Sequence, residues 1–344
     1  MKEVVLPLAE AKVRTYHFEA YPMSILEANG REYYEWLYSN YIQLNCHKDI
    51  KKSGDIFLAF YDNQAFKSPY LTKENTRWST LTKLDVNIHE YIEQHINIGY
   101  YMYFKVDEFY TPERGSYQNR HFMHDILVYG YNSKKEYYVV GYNQDGLYVN
   151  SKLTYNQFEN AYNNNYLIKE NNEWADEICL LKYNNRCHYE FNILLVEKLL
   201  DNYLNSINEF EVYKRYDEPL RDTEYGIKVF DKVIEYLNYL QQGVQPFKEY
   251  GIDNRIFRII YEHKLIMLDR MKYINENNIY LEDLIEKYSE VCELSRICHL
   301  LGTKYRVLPK SKIIDRLKNY IVSIKDKDKE ILGKLLVRLR KNKK

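Results

Sequence analysis

The sequence predicts an α+β first half followed by an all-α second half, on three observations. Three β-rich runs separated by short polar turns crowd residues 124–154, helical periodicity fills the chain beyond about residue 188, and the β pattern does not return there. The boundary is placed after residue 186, giving an α+β domain over 1–186 and a helical domain over 187–344. At 344 residues the chain is long enough for two cores of ordinary size.

The elements follow in order. Residues 22–45 space Ile25, Leu26, Tyr33, Trp36, Leu37 and Tyr41 at intervals of three and four, which predicts one or two helices starting behind Pro22. GDIFLAFYD from residue 54 reads as a buried strand. DVNIHEYIEQHINI (85–98) reads as a helix with Ile88, Tyr91, Ile92, His95 and Ile96 on one side, and GYYMYFKVDEFY (99–110) as the next strand. After a loop marked by Pro112 and Gly115, residues 124–132, 136–143 and 146–154 alternate as an antiparallel meander. Residues 154–164 form a short helix capped by Thr154, and EICLLKY (177–183) a last strand. Helices are then expected at 190–208, 224–242, 252–276, 280–300, 310–324 and 326–341, packed as an antiparallel bundle without sheet.

Composition excludes several classes of function. Lys plus Arg and Asp plus Glu each total 49, so no net field draws the chain to nucleic acid or an anionic membrane, and neither partner is expected. Five cysteines without a CxxC pair argue against a disulfide framework. Charges and a proline interrupt the N-terminal segment and no run of eighteen apolar residues occurs, so a cytoplasmic location is expected. Twelve glycines leave little for phosphate-cradling loops, while the 38 tyrosines read mostly as filler of core and surface.

The chemistry concentrates in residues 121–162. His124 stands at the mouth of a strand, and the next strand ends on Asn143 with Asp145 close behind. Adjacent antiparallel strands hold such groups about 5 Å apart, so either could orient the imidazole as a base. The run resembles the histidine half of papain-like cysteine peptidase folds, in particular the bacteriocin-leader-processing peptidases and the N-terminal domains of the butirosin biosynthesis protein H type. There a histidine precedes a hydrophobic strand ending in Gly-Tyr, and His124 lies six residues before Gly130 as that pattern asks. The resemblance covers roughly residues 10–185.

In that family the nucleophile sits at the N-terminus of the first helix, about five residues ahead of an Ile or Leu, where the helix dipole and free N–H groups lower the thiol pKa. Counted back from Leu26, the position is Tyr21. The resemblance therefore implies two opposed functions, with peptide hydrolysis a third that differs from acyl transfer only in whether water or an amine resolves the acyl-enzyme. The leading one is a protease-like acyltransferase or amide-forming enzyme of specialised-metabolite biosynthesis, of the nonribosomal-peptide type. It would work through Cys46, His124 and Asn143 on a carrier-protein-bound acyl or peptide substrate, with no cofactor, provided a second helix begins at Cys46. Ser24 is a further nucleophile if His124 acts as in serine proteases. The opposing function is that of an inactive relative that binds a peptide, a carrier protein or a biosynthetic intermediate. Tyr16, His17, Tyr21, Ser24 and Asp145 are the expected binding residues.

Other groupings read as structure. His121 and His124 are three apart, with His17, Cys46, His47, Cys187 and His188 elsewhere, which is not zinc-ligand spacing, and no metal is expected. Asp107 and Glu108 are neighbours on a strand and face oppositely, so they cannot serve as a glycosidase pair. Glu262, His263, Lys264, Asp269 and Arg270 read as an ion-paired helix surface. Cys292, Cys298 and His299 read as core. Lys334, Arg338, Arg340, Lys341, Lys343 and Lys344 offset a helix dipole.

Overall fold

The computed structural model describes residues 3–164, 172–208, 222–277 and 279–342, with backbone only at 62–64. Lys343 and Lys344 lie outside the described residues. The chain divides into a sheet unit, Met1–Tyr33 with Ala65–His188, and a helical unit, Tyr34–Gln64 with Tyr189–Lys344. The later change of unit lies between His188 and Tyr189. The segment 34–64, expected in the first domain, packs instead with the helices.

The described strands are β1 Val4–Val5, β2 Leu44–His47, β3 Ala59–Phe60, β4 Leu71–Arg77, β5 Tyr101–Asp107, β6 Met123–Tyr131, β7 Glu136–Tyr142, β8 Tyr148–Thr154, β9 Glu177–Tyr183 and β10 Thr223–Tyr225. The described α-helices of six residues or more are α1 His17–Asn29, α2 Tyr34–Asn40, α3 Trp78–Lys83, α4 Ile88–Asn97, α5 Tyr155–Asn163, α6 Ile193–Asn205, α7 Val229–Gln242, α8 Arg255–Glu276, α9 Glu282–Val307 and α10 Ser311–Lys341.

In the sheet unit a seven-stranded antiparallel sheet runs in the order β4-β9-β5-β6-β7-β8, with β1 paired to β6. The β6–β7–β8 meander is the one read from alternation, and Thr154 caps α5 through a reciprocal capping box with Gln157. On one face, Met102, Phe104, Val106, Ile126 and Val128 pack with Ile92 and Ile96 of α4 and with Phe158 and Tyr162 of α5. Alternation turns Tyr103 and Asp125 to the other face, where α1 meets them. Strand β4 was not expected: LTKENTR has one buried residue, because an edge strand against β9 needs no apolar face.

In the helical unit, β2 pairs antiparallel with β3 and β10. The expectation of no sheet beyond residue 190 is thus corrected by a three-residue strand, too short to show a period. The strand expected from residue 54 is only Ala59–Phe60, and the two helices expected over 310–341 are the single 31-residue α10, since neither Gly nor Pro interrupts it near residue 325.

The polar residues of α8 do not form a surface. Glu262, His263, Lys264 and Arg270 are buried. Lys264 Nζ donates to Asp328 Oδ2 at 2.7 Å and to the Tyr203 hydroxyl at 3.1 Å, while the Tyr203 and Tyr288 hydroxyls donate to the two oxygens of Asp328 at 2.6 and 2.5 Å. His263 Nε2 is 2.8 Å from the Ile42 carbonyl and Nδ1 is 3.0 Å from Lys264 Nζ. Facing an acceptor on one side and an ammonium on the other, the ring is the neutral Nε2–H tautomer. Arg270 donates to the carbonyls of Tyr38 and Tyr41 at 2.5 and 2.6 Å. These bonds account for the assignment of segment 34–64 to the helical unit.

Removing one partner of so buried an ion pair strands the other charge. Asp328→Ala should cost about 3–5 kcal/mol in urea unfolding, and Lys264→Met with Asp328→Leu should cost less than Asp328→Ala alone. Burial, then the Lys264 charge, hold the His263 pKa well below its usual value. The unfolded chain takes up a proton near pH 6.5 that the folded state refuses, so this contribution to stability is intact above that pH and lost as pH falls below it. The urea midpoint should drop between pH 7.5 and 5.5, and His263→Gln should flatten the drop.

Candidate acid–base site

The site is built where α1 crosses the start of β6. Helix α1 begins at His17, five residues before the expected start: Pro22 lies inside it, where its missing N–H forfeits one bond to the Phe18 carbonyl. Reading Pro22 as the first residue hid the first turn. With extended Tyr16 as N-cap, His17 becomes the leading residue of the helix.

His17 Nε2 stands 2.5 Å from Asp125 Oδ2. Asp125 itself is buried, and the hydroxyl of Tyr21, one turn along α1, donates to its carbonyl at 2.9 Å. Burial would raise the Asp125 carboxyl, but the bonds to His17 and Tyr103 and the charge of His124 outweigh it and hold the group below its ordinary value. Oδ1 of this carboxylate receives no hydrogen bond.

His124 pairs across the sheet with Val106. Its ring is 5.4 Å from that of His17, edge to face, and its Nδ1 is 3.4 Å from Glu108 Oε1. Burial raises the Glu108 carboxyl despite the nearby Arg114 guanidinium and a bond from Ser116. Arg114 is buried, donates to the Tyr142 carbonyl, and leaves Nε and Nη2 without acceptors. It lies against Gly141, where a Cβ would come within 2.6 Å of the guanidinium. Asp107 and Glu108 do not share a strand, since β5 ends at Asp107 and Glu108 opens a 3-10 turn; Asp107 Oδ2 is 2.5 Å from His121 Nδ1, while Glu108 serves His124.

The other sequence-chosen residues divide. Asn143 follows the end of β7 at Tyr142. Its side-chain oxygen accepts from the N–H groups of Asp145 and Leu147 and closes the β7–β8 turn, so Glu108 is the carboxylate beside His124. Asp145 is exposed in that turn. Ser24 is buried, with its hydroxyl 3.2 Å from that of Tyr148. Tyr16 is buried and stacks on Phe18 with ring centroids 5.1 Å apart.

Cys46 does not begin a helix: it lies in β2, buried between β3 and β10 in the helical unit, and burial pushes its thiol up to about 12. In the sheet unit, burial raises the Cys179 thiol to about 11, and Cys187 is half-buried with a raised pKa from the same cause. Among the described residues, the ligating groups gathered within 4.8 Å at this site are those of His17, His124 and Asp125, with no sulfur.

Chemically the arrangement is two imidazoles, each backed by a carboxylate, with a guanidinium beside one of the acids. It can accept, hold and hand on protons, or bind a charged group. Sequence reading chose His17 and His124 but missed Asp125, Glu108 and Arg114. Asp125 is legible only as an acid next to a strand-end histidine, which is common without a site, and Glu108 and Arg114 lie too far upstream of His124 for any local signal. Compared with models of protein families and with curated proteins, the chain matches none.

Asp125→Asn removes the charge that His17 meets while keeping the shape. It should cost about 1.5–3 kcal/mol in urea unfolding at pH 7, the range for a hydrogen bond to a charged group.

Proposed function

We propose that the chain binds its ligand at the His17–Asp125–His124 site without forming a covalent intermediate, as an inactive relative of the papain-like proteins it resembles. Its ligand on this reading is a peptide, a carrier protein or an intermediate of specialised-metabolite biosynthesis. The observation that carries the reading is Tyr21. At the position where the resemblance places a nucleophilic thiol stands a buried phenol whose proton is committed to the Asp125 carbonyl and whose pKa burial raises further. A phenol so held is neither ionised nor presented to an acyl group.

The acyltransferase reading needs a thiolate. The raised pKa of Cys46 leaves almost none at neutral pH, and its strand lacks the free N–H groups of a helix start. The His–carboxylate pairs then serve recognition: the partly exposed imidazoles of His17 and His124 are the groups that meet the ligand.

Iodoacetamide at pH 7 should label half-buried Cys187 first and leave Cys46 unlabelled in the folded chain, as read by mass spectrometry of peptides. An acyl thioester offered in excess should add no acyl mass to the protein. A stable acyl adduct on Cys46, removed by Cys46→Ala, would restore the acyltransferase reading.

A further inference from the structure

We infer that His17, His124 and Asp125 form a binding site for a divalent first-row transition metal ion of the zinc type. Three observations converge. Their ligating atoms lie within 4.8 Å of one another, drawn from the first residue of α1 and the start of β6. Two imidazoles and one carboxylate make a nitrogen-rich donor set that favours zinc and its neighbours over magnesium or calcium, which prefer all-oxygen sites.

The second observation is the orphaned oxygen. Asp125 is buried, yet its Oδ1 accepts no hydrogen bond. A buried carboxylate oxygen without a donor is costly, and a cation bound beside it removes the cost.

The third is the support behind the ligands. Glu108 Oε1 faces His124 Nδ1 at 3.4 Å, the carboxylate–histidine pairing that fixes the ring of a metal-bound imidazole. Both histidine side chains keep a path to solvent, at 22% exposure for His17 and 29% for His124, so an ion can enter.

The His17–Asp125 hydrogen bond of 2.5 Å is the resting state of the pair. Metal–nitrogen and metal–oxygen bonds of about 2.0–2.1 Å at a tetrahedral centre set ligand atoms roughly 3.3 Å apart. Binding therefore replaces the shared proton with the ion and opens this contact by under an ångström, a side-chain movement. The spacing of residues 17, 124 and 125 along the chain is unlike any local zinc pattern, and for that reason no metal was expected from sequence.

The test uses the full chain, stripped with chelator and dialysed, then titrated calorimetrically with Zn²⁺ alone and with Mg²⁺ as a control. One equivalent of Zn²⁺ should bind and Mg²⁺ should not. Co²⁺ should give a visible absorption band that Zn²⁺ bleaches. His124→Gln and His17→Gln should each weaken Zn²⁺ binding at least ~100-fold, and Glu108→Gln about 10-fold. Circular dichroism and melting without metal establish that each variant is folded; His124→Gln, at the more exposed ligand, carries the test if His17→Gln does not fold.

No stoichiometric Zn²⁺ binding, or equal binding by wild type and folded His124→Gln, overturns the site. The assignment stands apart from the binding function proposed above, which fails on an acyl adduct and not on a metal titration.

Discussion

A carboxylate cannot be buried without partners, and in the sheet unit that constraint acts at Asp125. Strand alternation turns this residue away from the apolar core of Phe104 and Ile126 toward the face under α1. There it must be answered by donors, and α1 brings them: the His17 imidazole to the carboxylate and the Tyr21 hydroxyl to the carbonyl. The two contacts, one turn apart on one helix, fix both the height and the rotation of α1 on the sheet. The first turn of α1 survives Pro22 because its leading residue is tied to the sheet by a charge-assisted bond.

The helical unit meets the same constraint differently. Lys264 and Asp328 are sealed at 0% side-chain exposure, and both oxygens of Asp328 accept hydrogen bonds. Nothing there is left over for a ligand, so the network reads as a device that selects one packing of α6, α8, α9 and α10. Asp125 is just as buried, but one of its oxygens is unanswered and its histidines reach solvent. That difference, more than the presence of charge, separates a site from a structural lock.

How much of this the sequence shows depends on whether the deciding force is local. The meander, α4 and α5 follow from alternation, apolar spacing and caps, and they fall within a residue or three of expectation. Strand β4 escapes because nothing in LTKENTR reports the β9 edge it completes. The placement of segment 34–64 escapes because Arg270 bonds the Tyr38 carbonyl across 232 residues, and backbone acceptors leave no mark on a sequence. At the site, His124 is legible as a strand-end histidine. Its link to His17 is not, because the Tyr21–Asp125 bond spanning 104 residues sets the meeting.

The papain-like reading proposed from the sequence asks more of this site than an imidazole. A peptidase of that kind needs a base and a thiol, joined by a helix start that ionises the sulfur. Here the helix start exists, but the residue it presents is His17, a second imidazole, and the position counted from Leu26 lies a turn deeper, where Tyr21 is fully buried. Exchanging that phenol for a thiol would remove the hydroxyl that holds the Asp125 carbonyl and leave a ring-sized void under α1, a loss of packing as well as of a bond. A sulfur at that depth would also gain no helix-dipole stabilisation, which fades beyond the first turn. The geometry of α1 therefore disfavours a nucleophile at residue 21 whatever its identity, and the groups that reach solvent at this point of the sheet unit are ones that hold protons, cations or anions.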